Sequence, residues 1–82
     1  MKINERNKMT FPQLWKKLTI EEAAMVRKNV TIGMKITPST FWRWWNGYAV
    51  PRSLSDKKDF VNIINETLGL NTDADTLFPE SK

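Results

Sequence analysis

The chain has 82 residues, 40% of them hydrophobic and 11% aromatic, which fits one small domain whose single core buries only ~60–65% of the unfolded surface. It holds no cysteine and no histidine, which excludes disulfides and the usual zinc ligands and removes the commonest general base. The net charge of +4 is unevenly placed: residues 1–53 carry ten Lys/Arg against three Asp/Glu, and residues 54–82 carry three Lys against six Asp/Glu.

Residues 1–9 are polar and poorly patterned, and they read as a mobile tail. The domain is expected over residues 10–79. Its first helix spans Thr10–Leu18, with Thr10 as cap, Pro12 in the first turn, and Phe11, Leu14, Trp15 and Leu18 on one face. Lys16 and Lys17 close its C-terminal end, where cations suit the helix dipole. Thr19 and Glu22 form a capping box for a second helix, Ile20 to about Met34, with Ala23, Val26, Val30 and Met34 on its inner face. The weak helix formers Val30-Thr31-Ile32-Gly33 leave two readings open: a break near Asn29, or a close approach by a neighbouring helix at Gly33.

Lys35-Ile36 form a turn, with Ile36 directed to the core, and a short, sharply bounded helix follows. Thr37 caps it, Pro38 takes the first helical position, and Gly47 ends it after Asn46. At ~100° per residue, Phe41, Trp44, Trp45 and Tyr48 share one stripe, and Ser39, Trp42, Arg43 and Asn46 share the other. The first stripe demands a core. The second is cationic and hydrogen-bonding, and it suits the major groove of DNA. Pro51 and Arg52 lie in the loop beyond.

Ser55 caps the next helix, which has Asp56 and Asp59 in its first turn, Phe60, Ile63, Ile64 and Leu68 inward, and Gly69 at its end. Thr72 caps a last turn over Asp73–Leu77, after which Leu77 and Phe78 return to the core and residues 80–82 trail off. The expected fold is all-α, a small bundle of four or five short helices containing a helix-turn-helix.

The layout resembles the lambda-repressor-like (Cro/Xre-type) helix-turn-helix family over about residues 19–79. The carriers are Val30, Met34 and Ile36 around the turn, Phe41 and Trp44 as inward anchors, the string TFWRWWNG with Pro51 after it, and the ending LGLNTDADTLFPE. Thr31 stands where the family usually has a small residue, and Lys35 where it usually has glycine. A lysine in a left-handed turn costs ~1 kcal/mol. The resemblance implies that Pro38–Asn46 is a recognition helix and that Thr37, Ser39, Thr40, Trp42, Arg43 and Asn46 meet DNA.

The side chains support these roles on their own chemistry. The fork of Arg43 matches the acceptors of guanine, and Asn46 matches adenine, each pairing giving ~1–3 kcal/mol of discrimination. Thr37 and Ser39 lie at the helix N-terminus, where hydroxyls and free N–H groups hold phosphates; the resemblance implies Ser39 and Thr40 as further base contacts. Lys35, Arg52, Lys57 and Lys58 flank the helix in sequence and are the expected sequence-blind phosphate contacts. Trp42, on an otherwise polar flank, needs a thymine methyl, a sugar-phosphate or another chain against it.

The expected function is therefore sequence-specific binding of double-stranded DNA by a small transcriptional regulator. One unit of this kind buries only ~600–1,000 Å² on DNA, so a homodimer on half-sites ~34 Å apart is expected. Its surface is expected in the acidic C-terminal region near Ile63, Ile64, Leu70 and Leu77, unless the last helix caps only its own core. The alternative is a protein-interaction module built on an exposed Trp42/Trp45/Tyr48 patch. No phosphate loop, nucleophile elbow or metal pair is present, so neither an enzyme nor a cofactor is expected. Asn71, Asp73 and Asp75 resemble the start of a calcium loop, but Thr76 and Lys82 stand where that loop needs glycine and glutamate. No apolar run approaches the ~20 residues of a membrane span. The opening MKINERNKMT lacks the apolar segment of a secretory signal, so the expected location is cytoplasmic.

Overall fold

Five side-chain caps start five helices. The computed structural model describes residues 5–79 and contains α1 (Phe11–Lys17), α2 (Ile20–Met34), α3 (Pro38–Trp45), α4 (Leu54–Leu68) and α5 (Ala74–Leu77), with a 3-10 turn at Glu5–Lys8 before them. Thr10, Thr19, Thr37, Ser53 and Asp73 each accept a hydrogen bond from the backbone N–H three residues on. Such a bond satisfies one orphan donor and stabilises each helix by ~1 kcal/mol. Gln13 and Glu22 return the bond to Thr10 and Thr19, at 3.2 and 3.0 Å, so two of the caps are reciprocal boxes.

Two helices end on one device. Lys35 (φ 57°, ψ 45°) and Gly69 (φ 67°, ψ 35°) are left-handed, and the next residues, Ile36 and Leu70, donate to the carbonyls of Thr31 and Asn65, each at 3.1 Å. Gly69 takes this conformation without strain, whereas Lys35 does so against its Cβ.

The core is aromatic at its centre. Phe11 is fully buried and meets Phe60 at 4.7 Å, Phe41 at 5.7 Å and Phe78 at 5.9 Å between ring centroids. α1, α3, α4 and the chain end are thus joined through one ring. Val26, Val30, Phe60 and Ile64 are also fully buried. α2 and α4 run antiparallel along a long seam: Gly33 lies opposite Ile63, and Asn29 Nδ2 donates to Thr67 Oγ1 at 2.9 Å. A Cβ at Gly33 would stand 3.0 Å from Ile63 Cδ1, so the close-approach reading of this glycine applies and α2 is unbroken at Asn29.

Other expectations are corrected. α4 starts two residues early, on Ser53, because the buried Pro51 fixes the chain just before it and Ser53 Oγ accepts from Asp56 N–H at 3.0 Å. Asp73, not Thr72, caps α5. Thr72 is buried and committed elsewhere, its hydroxyl donating to the Asn7 carbonyl and its N–H to Asn65 Oδ1. Tyr48 lies beyond the end of α3 and is 73% exposed, off the inward stripe. Ile64, Leu70 and Leu77 are buried in their own core, which removes them from any dimer surface.

Glu5–Lys8 also differ from the expected tail. Arg6 bridges both carboxylate oxygens of Glu22 at 3.1 Å, and Asn7 Oδ1 accepts from Asn71 N–H at 2.8 Å. The rest of that tail, residues 1–4, and the expected tail over 80–82 lie outside the described residues. Among the described residues there is no strand, and no helix is long and apolar enough to cross a membrane.

Candidate nucleic-acid interface

α3 is an eight-residue helix with strongly opposed sides. Its inner side is Phe41, fully buried, and Trp44, 6% exposed. Trp45 is half-buried, stacked on Trp15 of α1 with centroids 4.4 Å apart and planes within 10°. Burying these rings fixes the rotation of the helix about its axis. The outer side then follows from the 3.6-residue period: Ser39, Trp42, Arg43 and Asn46 are all exposed.

The expected base-contact residues are thus mostly on one surface, with differences among them. Asn46 is exposed and has one amide N–H tied back to the Trp42 carbonyl at 3.0 Å, which leaves Oδ1 and one N–H for another partner. Thr40 is half-buried and its backbone N–H donates to Thr37 Oγ1 at 3.2 Å. The two threonine hydroxyls stand 3.2 Å apart, so the Thr37 oxygen serves the cap first. Trp42 is 47% exposed and its ring meets Tyr48 at 5.5 Å.

The expected phosphate contacts divide. Arg52 joins Arg43 and Thr40 on the wall of a cavity of about 300 Å³ floored by Ile36 and Trp44. Lys35 is exposed in the turn before α3. Among the described residues Lys35, Arg43 and Arg52 form no ion pair, so their charges are available to an external anion. The lysines of α4 are placed differently. Lys58 lines a separate cavity with Asp73 and Asp75, and Lys57 is half-buried and already engaged within the chain.

Two features escaped the sequence reading: Val50 is 49% exposed, and Asp56 brings a carboxylate to the cavity of the two arginines. Tyr48, placed by the sequence both on the inward stripe and in the alternative exposed patch, stands exposed beside Trp42. Gly47, at φ 82°, was the available signal for Tyr48, because a left-handed glycine takes the chain out of the helix before that residue. The loop closes back on α3 through the Tyr48 and Ala49 N–H groups, which donate to the Arg43 carbonyl at 2.9 and 3.3 Å. Among the described residues no acidic cluster is placed to hold a metal ion.

Comparison of the chain with protein-family models, with characterised proteins and with solved structures returned no match.

Proposed function

We propose that this protein binds a specific sequence in double-stranded DNA and acts as a small transcriptional regulator, with α2, its turn and α3 forming a helix-turn-helix of the lambda-repressor-like type. The observation that carries the reading is the outward presentation of Ser39, Trp42, Arg43 and Asn46 over a buried aromatic backing. A helix of this length extends ~12 Å and fits the major groove, which admits one helix lying along it. Arg43 and Asn46 read base edges, Ser39 and Thr40 approach the bases nearest the helix start, and Lys35, Thr37 and Arg52 meet phosphates. Lys57 and Lys58, which lie in the acidic part of the chain, contribute only through the long-range field rather than by direct contact.

A second reading has one specific observation behind it. Trp42 and Tyr48 form an exposed aromatic pair, which another protein could cover. Trp45, held against Trp15, is not part of that pair.

Salt separates the two. If DNA is the partner, log K falls by ~0.9 for each phosphate contact per log unit of salt. Affinity for duplex DNA that does not respond to salt, or no affinity at low salt, would overturn the DNA reading.

A further inference from the structure

The geometry points to the cavity between α3 and the start of α4 as a binding site for a free α-amino acid with an apolar side chain. At about 300 Å³ it stands at the small end of ligand pockets, ~300–1,000 Å³. Its apolar part includes Ile36, Trp44 and Val50, of which Trp44 is buried and Ile36 half-buried. Three charged residues, Arg43, Arg52 and Asp56, share the lining. Among the described residues none of the three forms an ion pair, so charges of both signs border one cavity without closing on each other. The chain, not these charges, holds the walls in place. The Tyr48 and Ala49 N–H groups tie the loop to the Arg43 carbonyl, Pro51 is buried, and the Asp56 N–H donates to Ser53 Oγ at the start of α4. The cavity is therefore formed before a ligand enters, which spares the ligand that ordering cost.

The ligand class follows from the signs. A simple anion suits the arginines but stands against Asp56. A simple cation suits Asp56 but meets two arginines. A neutral apolar molecule uses none of the three. An α-amino acid carries a carboxylate and an ammonium on one carbon, with a side chain beside them. Its carboxylate takes the guanidinium forks of Arg43 and Arg52, which match a carboxylate's two oxygens. Its ammonium takes Asp56, and its apolar side chain lies over Ile36 and Trp44. Arg43 cannot grip that carboxylate and a base edge at once. The amino acid therefore releases duplex DNA, a consequence that rests on the DNA reading, whereas the uptake of the amino acid does not.

The test is calorimetric titration of the whole chain, without DNA, by L-leucine, by isocaproate (the leucine skeleton without its amino group) and by inorganic phosphate. L-leucine is expected to give saturable heat, and isocaproate to bind about five- to tenfold more weakly. Asp56→Asn is expected to weaken L-leucine by the same factor and to leave isocaproate bound no less tightly. Arg52→Gln is expected to weaken both. Arg52 and Asp56 are exposed, and unchanged helical circular dichroism would confirm that each variant folds. No saturable heat with L-leucine, isocaproate or phosphate bound as tightly as L-leucine, or L-leucine indifferent to Asp56→Asn would each overturn the inference. Saturating L-leucine is further expected to release bound duplex DNA, and DNA that stays bound would overturn the competition. A chain that takes up L-leucine but never duplex DNA refutes the DNA reading alone. One that binds duplex DNA and gives no heat with L-leucine refutes this inference alone.

Discussion

Trp45 of α3 stacks on Trp15 of α1, ring centroids 4.4 Å apart and planes within 10° of parallel. The edge of each ring also meets Phe41, at 5.0 and 5.3 Å. This clamp ties α3 to α1, an element separated from it in sequence by α2. Trp45→Ala is expected to destabilise the fold by about 2–3 kcal/mol, from lost apolar burial and the lost stack. Trp42→Ala, on the open side of the same helix, is expected to change stability by less than about 0.5 kcal/mol while weakening DNA binding. Urea unfolding of both variants measures the contrast, and equal losses would contradict the assigned faces.

Lys35 occupies a left-handed turn that its counterpart Gly69 occupies without strain. Lys35→Gly is expected to raise stability by about 0.5–1 kcal/mol, the released Cβ strain exceeding the extra chain entropy of glycine. The same change removes a cation beside α3, so DNA affinity should fall and its salt slope decrease by about one contact. Thermal melts and binding at two salt concentrations measure the two effects. A destabilised Lys35→Gly would contradict the backbone assignment.

The Arg6 guanidinium, hydrogen-bonded to Glu22, and the Thr19 N–H hold the Glu22 carboxyl below its ordinary value of 4.5. The Thr76 N–H holds Asp73 below its ordinary 3.8. Both groups are depressed in the folded state, so their contribution is complete above the unfolded value and is lost as pH falls through the folded one. Stability is therefore expected to be level from about pH 5 to 7, where no histidine titrates, and to decline below pH ~4.5. Glu22→Gln should flatten the first part of that decline in a series of melting temperatures against pH. An unchanged acid profile would show that the Arg6 contact does not persist in solution.

Arg43 and Arg52 share a cavity wall but are assigned different work. Arg43→Ala should relax preference at one base position, by about 1–3 kcal/mol of discrimination. Arg52→Ala should weaken all sequences alike. Binding to a site and to its single-base variants separates the two, and uniform losses from both changes would remove Arg43 from the base-reading role.

Local chemistry was largely legible in the chain. The caps at Thr10, Thr19 and Thr37, the left-handed end at Gly69, and the inward stripes of α1, α2 and α4 each depend on residues within one or two turns of one another. The failures share a cause. Extrapolating the stripe of α3 to Tyr48 ignored that Gly47 ends the helix, and choosing Ser55 over Ser53 required knowing that Pro51 is buried. Thr72 and Asn7 are 65 residues apart, and Arg6 and Glu22 are 16 apart, so no local pattern announces either contact. At the candidate site, the exposure of Ser39, Arg43 and Asn46 was readable from period alone. The cavity joining Arg43 to Arg52 and Asp56 was not, because it depends on how the loop before α4 folds back.

Selection from random duplex DNA at low salt, followed by sequencing of the bound pool, tests the central claim most directly. The expected outcome is one enriched motif whose preference at a guanine is lost with Arg43→Ala. A pool that stays random after repeated rounds, with the protein folded, would contradict the assignment of α3 as a reading helix.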